Sequence, residues 1–101
     1  MPSFREEAIR RAEEAGYYPA EGQRPINWDT VEDWAKKVQE TGFAWRTGAE
    51  GGPDEFIVLG ENNAIASGQH RILGGLIGNN PVPEEAMTRI RVPLPTQPWA
   101  R

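Results

Sequence analysis

The sequence predicts a small α+β domain in which a short mixed sheet is packed by helices. Apolar residues recur at helical spacing in three stretches, and short apolar runs are bounded by Gly, Asn and Pro. The 101 residues suffice for one modest core. The absence of cysteine excludes disulfides, thiolate catalysis and zinc sites built from thiolates.

Charge and hydropathy limit the kinds of molecule that this chain is expected to bind. The chain carries 11 Lys and Arg against 15 Asp and Glu, a net charge of −4. Non-specific nucleic-acid binders neutralise phosphates with many basic side chains, so this balance favours a small phosphorylated ligand or a basic protein surface over a long polyanion. No apolar run approaches the ~20 residues that span a bilayer, and the N-terminus lacks the apolar core of a signal peptide. We therefore expect no membrane contact.

The N-terminal residues predict a first helix. Ser3 and Glu6 fit a capping box, and Gly16 stands where a C-terminal glycine is favoured. The apolar stripe between them consists largely of alanine, so we expect this helix at the domain edge or against a partner. Residues 17–27, rich in Pro and Gly, predict an irregular connection.

A second helix is predicted from Val31 to Thr41, followed by Gly42. Asp29 and Glu32 have the spacing of a capping box at its start. Trp34 lies on its apolar stripe, and we expect it to anchor the core.

The central residues predict a hairpin. The run Glu55–Leu59 is a short apolar strand, Gly60–Asn63 a tight turn, and Ala64–Ala66 the second arm. The glycine-rich stretch Thr47–Asp54 before it predicts a flexible loop of the kind that can close over a site. Further along, Thr88–Leu94 alternates like a half-buried strand, and its proline places it at a sheet edge or near a strand end.

A third helix is predicted to begin near Gly68 and to end at Gly78–Pro81. Two glycines in its interior, Gly74 and Gly75, indicate close backbone packing against a neighbour or room for a ligand. A further helical turn is predicted at Pro83–Glu85. The apolar residues that this third helix should bury are Ile72, Leu73, Leu76 and Ile77.

The start of the third helix carries the residues that suggest a binding site: Ser67, Gly68, Gln69, His70 and Arg71. A helix N-terminus has backbone N–H groups without partners and about half a positive charge. A glycine, a hydroxyl, an imidazole and a guanidinium beside it make a plausible phosphate cradle. His70 is the single histidine of the chain, and thus its main candidate for acid–base chemistry near neutral pH. The alternative is a Ser67 N-cap, a turn at Gly68 and two solvated side chains.

The order of these elements, with Gly68-Gln69-His70-Arg71 opening an apolar helix after the hairpin, resembles the ParB/sulfiredoxin fold. The resemblance covers about residues 26–94, with a helix and connector before it (1–25) and a tail after it (95–101). It implies that the Gly-x-His-Arg signature holds nucleotide phosphates. Sulfiredoxins have their reactive cysteine where this chain has Gln69, so sulfinic-acid reduction is excluded.

As a lone compact domain, the chain looks similar to the ParB-like nuclease modules of bacterial polymorphic toxins. This likeness implies a nuclease or nucleotide hydrolase, with His70 and Arg71 as catalytic residues and residues 67–71 binding phosphate. For such a reaction the substrate phosphates could recruit a divalent ion, so Mg²⁺ bound with the nucleotide is the candidate cofactor. Carboxylates and turn residues that could assist the metal or the ligand, or simply cap helices and form turns, are Asp29, Glu32, Glu61, Asn62 and Asn63.

Two other functions stay open at this level. The domain could be a nucleotide-binding switch without catalysis. It could also be an interaction module with a decayed site, whose acidic surface or first helix captures an immunity-type protein partner. We expect the site of action in the cytoplasm, with secretion as part of a larger toxin left open.

Overall fold

The structure, a computed structural model, describes residues 3–40 and 57–100. Three parts of the prediction lie outside these ranges: the helix end at Thr41 and Gly42, the Thr47–Asp54 loop and the first two residues of the Glu55–Leu59 strand. The elements, in chain order, are α1 (Phe4–Glu14), β1 (Tyr18–Pro19), α2 (Trp28–Glu40), β2 (Ile57–Leu59), β3 (Ala64–Ser67), α3 (Gln69–Ile77), a 3₁₀ turn (Glu84–Ala86) and β4 (Met87–Arg89).

The described strands form one mixed sheet in the order β1-β3-β2-β4. β2 and β3 are the predicted hairpin, antiparallel and joined by a turn in which the Asn63 N–H donates to the Gly60 carbonyl (3.1 Å). β1 runs parallel to β3, and β4 runs parallel to β2. The α+β class with a short mixed sheet is thus confirmed.

β4 lies at the sheet edge, as predicted, but ends at Arg89. The prediction of a strand up to Leu94 was wrong because the chain beyond Arg89 wraps around the hairpin turn instead. There the Glu61 N–H donates to the Val92 carbonyl (3.0 Å), and the Leu94 N–H donates to Asn62 Oδ1 (3.1 Å).

α3 packs against both α1 and α2. It approaches α2 closely at Gly74, where an added Cβ would lie 2.5 Å from Trp34 Cβ and 3.2 Å from the Val31 carbonyl oxygen. The predicted close packing is confirmed at this glycine. Trp34, however, is not the core anchor: it is only partly buried, and the Lys37 ammonium lies 4.8 Å from its ring centroid. The buried residues of α2 are Val31, Ala35 and Val38.

One face of α1 belongs to the core, which corrects the prediction of a weakly packed helix. Ala8, Ile9 and Ala12 are fully buried in the main apolar cluster. Arg11 Nη1 also donates to the Leu76 carbonyl at the end of α3 (2.8 Å). Small side chains let α1 approach α3 closely, so the alanine stripe that suggested weak packing is the contact surface itself.

Residues 17–27 and the tail pack against the same core as the helices and the sheet. Residues 18–19, predicted as irregular, form β1, and the Gln97 N–H donates to the Pro19 carbonyl (3.0 Å). Trp99 is 4% exposed, and its Nε1–H donates to the Tyr17 carbonyl (2.9 Å). Residues 3–25, the described residues of 26–94 and residues 95–100 therefore contribute to one core, although the tail shows no pattern in the sequence.

Gly74→Ala should destabilise the fold by about 1–3 kcal/mol, because the new methyl group overpacks the α2–α3 contact. Chemical denaturation measures the effect. Gln39→Ala, at an exposed position of α2, is the control and should change stability by less than about 0.5 kcal/mol. Equal stability of the two variants would show that α2 and α3 are not in close contact.

Trp99→Ala should cost about 3–5 kcal/mol, as expected for loss of a large buried aromatic side chain. Trp34→Ala should cost clearly less, since that ring is only partly buried. The free energies of unfolding of both variants and the wild type decide the ranking. A larger loss for Trp34→Ala would contradict the position of the tail in the core.

Candidate functional site

Gly68 forms the corner between β3 and α3. It has a left-handed conformation (φ 92°, ψ 22°), and an added Cβ would lie 2.8 Å from Ile57 Cγ1. Any other residue would be strained and would clash, so the corner requires glycine. Gly68 is also the N-cap of α3, and Ser67 is the exposed last residue of β3. The alternative of Ser67 as N-cap was therefore wrong.

The start of α3 has no side-chain cap and no acidic residue in its first turn. The first intrahelical bond runs from the Ile72 N–H to the Gly68 carbonyl (3.0 Å). The amides of Gln69 and His70 precede it and belong to the set that a helix leaves without intrahelical acceptors. The positive end of the helix dipole is thus not neutralised by a carboxylate from the helix itself.

Gln69 holds the neighbouring connector in place. It is 5% exposed, and its Nε2 donates to the Arg24 carbonyl (2.9 Å). One step earlier along the sheet, Gln23 Nε2 donates to the Ala66 carbonyl (3.0 Å). Residues 20–27, called the connector below, are therefore fixed along the end of β3 and the start of α3.

His70 makes a second bond to the connector. Its Nε2 accepts the Asn27 N–H (2.9 Å), which places the imidazole proton on Nδ1 and requires the neutral ring. Burial lowers the pKa of His70 below its ordinary value. At neutral pH the ring is thus an uncharged positioning group whose Nε2 is already engaged.

Asn27 is the N-cap of α2. Its Oδ1 accepts the N–H groups of Asp29 (3.1 Å) and Thr30 (3.3 Å). The predicted Asp29–Glu32 capping box was therefore wrong, and Glu32 instead pairs with Lys36 (3.0 Å). The preference of asparagine for helix N-caps could have identified this residue from the sequence.

The structure brings Ser67, Gly68, Gln69, His70 and Arg71 together at the corner, with Arg71 partly buried in the first turn. It also adds two connector groups that the sequence did not indicate as site residues, the Gln23 side-chain amide and the Arg24 carbonyl. Their contacts span more than forty residues of sequence, and no spacing rule could have found them.

The secondary candidates lie at the other end of β3, in the hairpin turn. Asn62 Nδ2 donates to the Leu94 carbonyl (3.0 Å), and Asn63 Oδ1 accepts from Arg89 Nη1 (2.6 Å). Glu61 is exposed in the same turn. These residues order the turn and the chain after β4, and they do not lie at the Gly68 corner. Within residues 3–40 and 57–100, no cluster of three or more His, Asp and Glu could hold a metal ion.

Comparison of the chain with protein-family models, curated proteins and solved structures finds no match. The ParB/sulfiredoxin resemblance thus stays a prediction. In the described part of the chain, the helices are all too short or too polar to cross a bilayer.

The free energy of unfolding should fall between about pH 7 and pH 5. The unfolded chain binds a proton near the ordinary histidine pKa of about 6.5, whereas the folded state binds it only at lower pH because burial lowers the pKa of His70. His70 contributes stability above the unfolded pKa, and this is lost as the pH falls towards the folded pKa.

Denaturation of wild type and His70→Gln at pH 7.5, 6.0 and 5.0 measures this effect. Glutamine keeps an acceptor for the Asn27 amide without titrating, so the variant should have a flatter profile. Because the chain has one histidine, the difference between the two pH profiles can be assigned to the titration of His70. Parallel profiles would mean that the imidazole is not buried against Asn27.

Proposed function

We propose that this domain binds a phosphate-bearing ligand of the nucleotide class at the Gly68 corner. The observation that carries the proposal is the start of α3, where a glycine without a side chain stands in front of the first-turn amides. An anion can approach such backbone groups closely, and the helix dipole favours its charge. Ser67 offers a hydroxyl on the exposed side of the corner.

Local charge supports an anionic ligand in spite of the net charge of −4. The first turn of α3 has no carboxylate, and Arg71 provides a permanent cation within it. The connector is bonded to Gln69 and His70, so the amides are held in position before a ligand arrives. Preorganisation of this kind lowers the entropy lost on binding.

The geometry favours binding over cleavage. A general acid or base must exchange a proton with the substrate, but His70 Nε2 already accepts the Asn27 amide and the ring is neutral. Its Nδ1–H can donate a hydrogen bond, which suits binding. Of the functions that the sequence leaves open, a nucleotide-binding site without turnover therefore fits best, and nuclease or hydrolase activity becomes an outcome of the test.

Calorimetry with the four ribonucleoside triphosphates, with and without Mg²⁺, tests the proposal. Wild type should bind at least one of them, and Arg71→Ala should weaken binding at least tenfold. Arg91→Ala removes the same charge from an exposed position after β4 and should leave affinity unchanged. Thermal unfolding of each variant confirms that it is folded.

Release of inorganic phosphate is followed in the same samples. The integrity of plasmid and RNA is followed in parallel incubations with the same protein variants. Turnover that disappears in His70→Gln would favour the hydrolase alternative and contradict a purely positioning imidazole. No binding of any nucleotide would overturn the proposal and leave the interaction-module alternative. Equal losses in Arg71→Ala and Arg91→Ala would place the ligand away from the Gly68 corner.

A further inference from the structure

We propose that copies of this chain associate through an aromatic groove on one copy and an exposed proline-containing run on another. The run, called the proline run below, is Val92–Pro95, which follows β4. The contact uses neither the Gly68 corner nor the amides behind it, so it does not depend on the proposed function. The aromatic groove lies between the starts of α1 and α2, has a volume of about 680 Å³, and is lined by Ser3, Phe4, Arg5, Glu6 and Trp28.

Two aromatic rings at nearly a right angle form the apolar wall of the groove. The ring centroids of Phe4 and Trp28 are 6.5 Å apart, and the ring planes are at 85° to each other. Phe4 is 38% exposed, whereas Trp28 packs in part against the core and is thereby held in position. Grooves lined by aromatic rings bind extended segments that contain proline. The wall therefore suits a proline-containing partner.

The indole N–H of Trp28 adds a hydrogen-bond donor to this wall. The same group of Trp99 donates to the Tyr17 carbonyl (2.9 Å). None of the described residues accepts the Trp28 Nε1–H, and its nitrogen is accessible to solvent. Tryptophan at binding surfaces offers both a large apolar face and one donor. A partner that brings apolar side chains and a carbonyl acceptor would use both.

Covalent geometry keeps the proline run extended. The φ angles of Pro93 and Pro95 are fixed at about −65°, and the residues before them, Val92 and Leu94, are restricted to the extended region. The run is also bonded to the hairpin turn, because the Val92 carbonyl accepts the Glu61 N–H (3.0 Å). A partner thus meets a preorganised segment, and less entropy is lost on binding.

The proline run presents both an apolar surface and an acceptor to solvent. Val92 is 53% exposed, and Pro93 and Pro95 are exposed as well. Leu94 packs on the hairpin turn instead. In the described part of the chain no donor reaches the Pro93 carbonyl, which makes it the acceptor that matches the Trp28 N–H.

Charge complementarity favours a second copy of this chain as the partner. At the groove, the exposed Arg5 guanidinium lies 5.4 Å from the Trp28 ring centroid, and Glu6 is exposed beside it. At the run, Arg91 precedes Val92 and Glu61 is bonded to it through the backbone, and both side chains are exposed. Each surface thus carries one cation and one carboxylate, and opposite charges can meet across the contact.

The contact joins different copies. Among the described residues, those that line the groove all belong to the starts of α1 and α2, and the run of the same chain is not one of them. The groove and the run are distinct surfaces, so a contact between them is heterologous and each copy can engage two others.

Sedimentation velocity over a wide range of protein concentration tests the inference. The average mass of the wild type should rise with concentration. Phe4→Ala removes one side of the contact, and the double variant Pro93→Ala with Pro95→Ala removes the other, so each should weaken association at least tenfold. Pro81→Ala, at an exposed proline after α3, is the control and should associate like the wild type. Thermal unfolding confirms that each variant is folded.

Trp28→Phe tests the donor, since it keeps an aromatic ring and loses the N–H group. This variant should be folded and should associate more weakly than the wild type. In the wild type, the indole N–H resonance of Trp28 should shift as concentration rises, while that of the buried Trp99 stays in place.

Charge reversal identifies the two surfaces. Arg5→Glu and Glu61→Arg should each weaken association, and an equimolar mixture of the two variants should associate again, because unlike chains then bring opposite charges together. A wild-type chain that stays monomeric at every concentration would overturn the inference. So would unchanged association in the folded Phe4→Ala and double proline variants, or a mixture that associates no better than its two components.

Discussion

The left-handed corner at Gly68 is the constraint on which the rest of the site depends. β3 and α3 meet in this single residue, and Ile57 of the paired strand fills the space where a Cβ would be. The direction in which α3 leaves the sheet is therefore set by backbone conformation. Because α3 packs on both α1 and α2, the same corner also sets where those helices lie.

Small residues determine how tightly these helices pack. Gly74 brings α3 against the backbone of α2, and Ala8 and Ala12 bring α1 against the core. A chain of 101 residues can bury only a small apolar core. Where the helix contacts consist of Gly and Ala, the helices approach closely, and the resulting dispersion contacts offset part of the small buried volume. Trp99, from the C-terminal tail, completes this core cluster.

The polar side chains at the start of α3 act mainly on the protein itself. Gln69 and His70 use their side chains to fix the connector, and what they leave for a ligand is the backbone N–H groups of the first turn. Backbone donors on a fixed helix need no rearrangement on binding, which favours recognition. The same arrangement opposes proton transfer, since the histidine is engaged and neutral.

The amino-acid sequence by itself determined several of the local elements. The Ser3 cap, the hairpin turn at Gly60–Asn63, the start of α3 after Gly68 and its end at Gly78 all follow from the chemistry of neighbouring residues, and each was predicted. The close approach at Gly74 was predicted because a glycine inside a helix has few other uses. The resemblance to a ParB/sulfiredoxin domain depends on the same local features.

The tertiary structure alone decided what lies far apart in sequence. The pairing of β1 with β3, the contact of Trp99 with Tyr17 and the bond from Asn27 to His70 join residues 43 to 82 positions apart. Every residue offers similar backbone N–H and carbonyl groups, so local patterns cannot specify such partners. Packing selects them, and for that reason the engagement of His70 by the Asn27 amide became visible only in the folded chain.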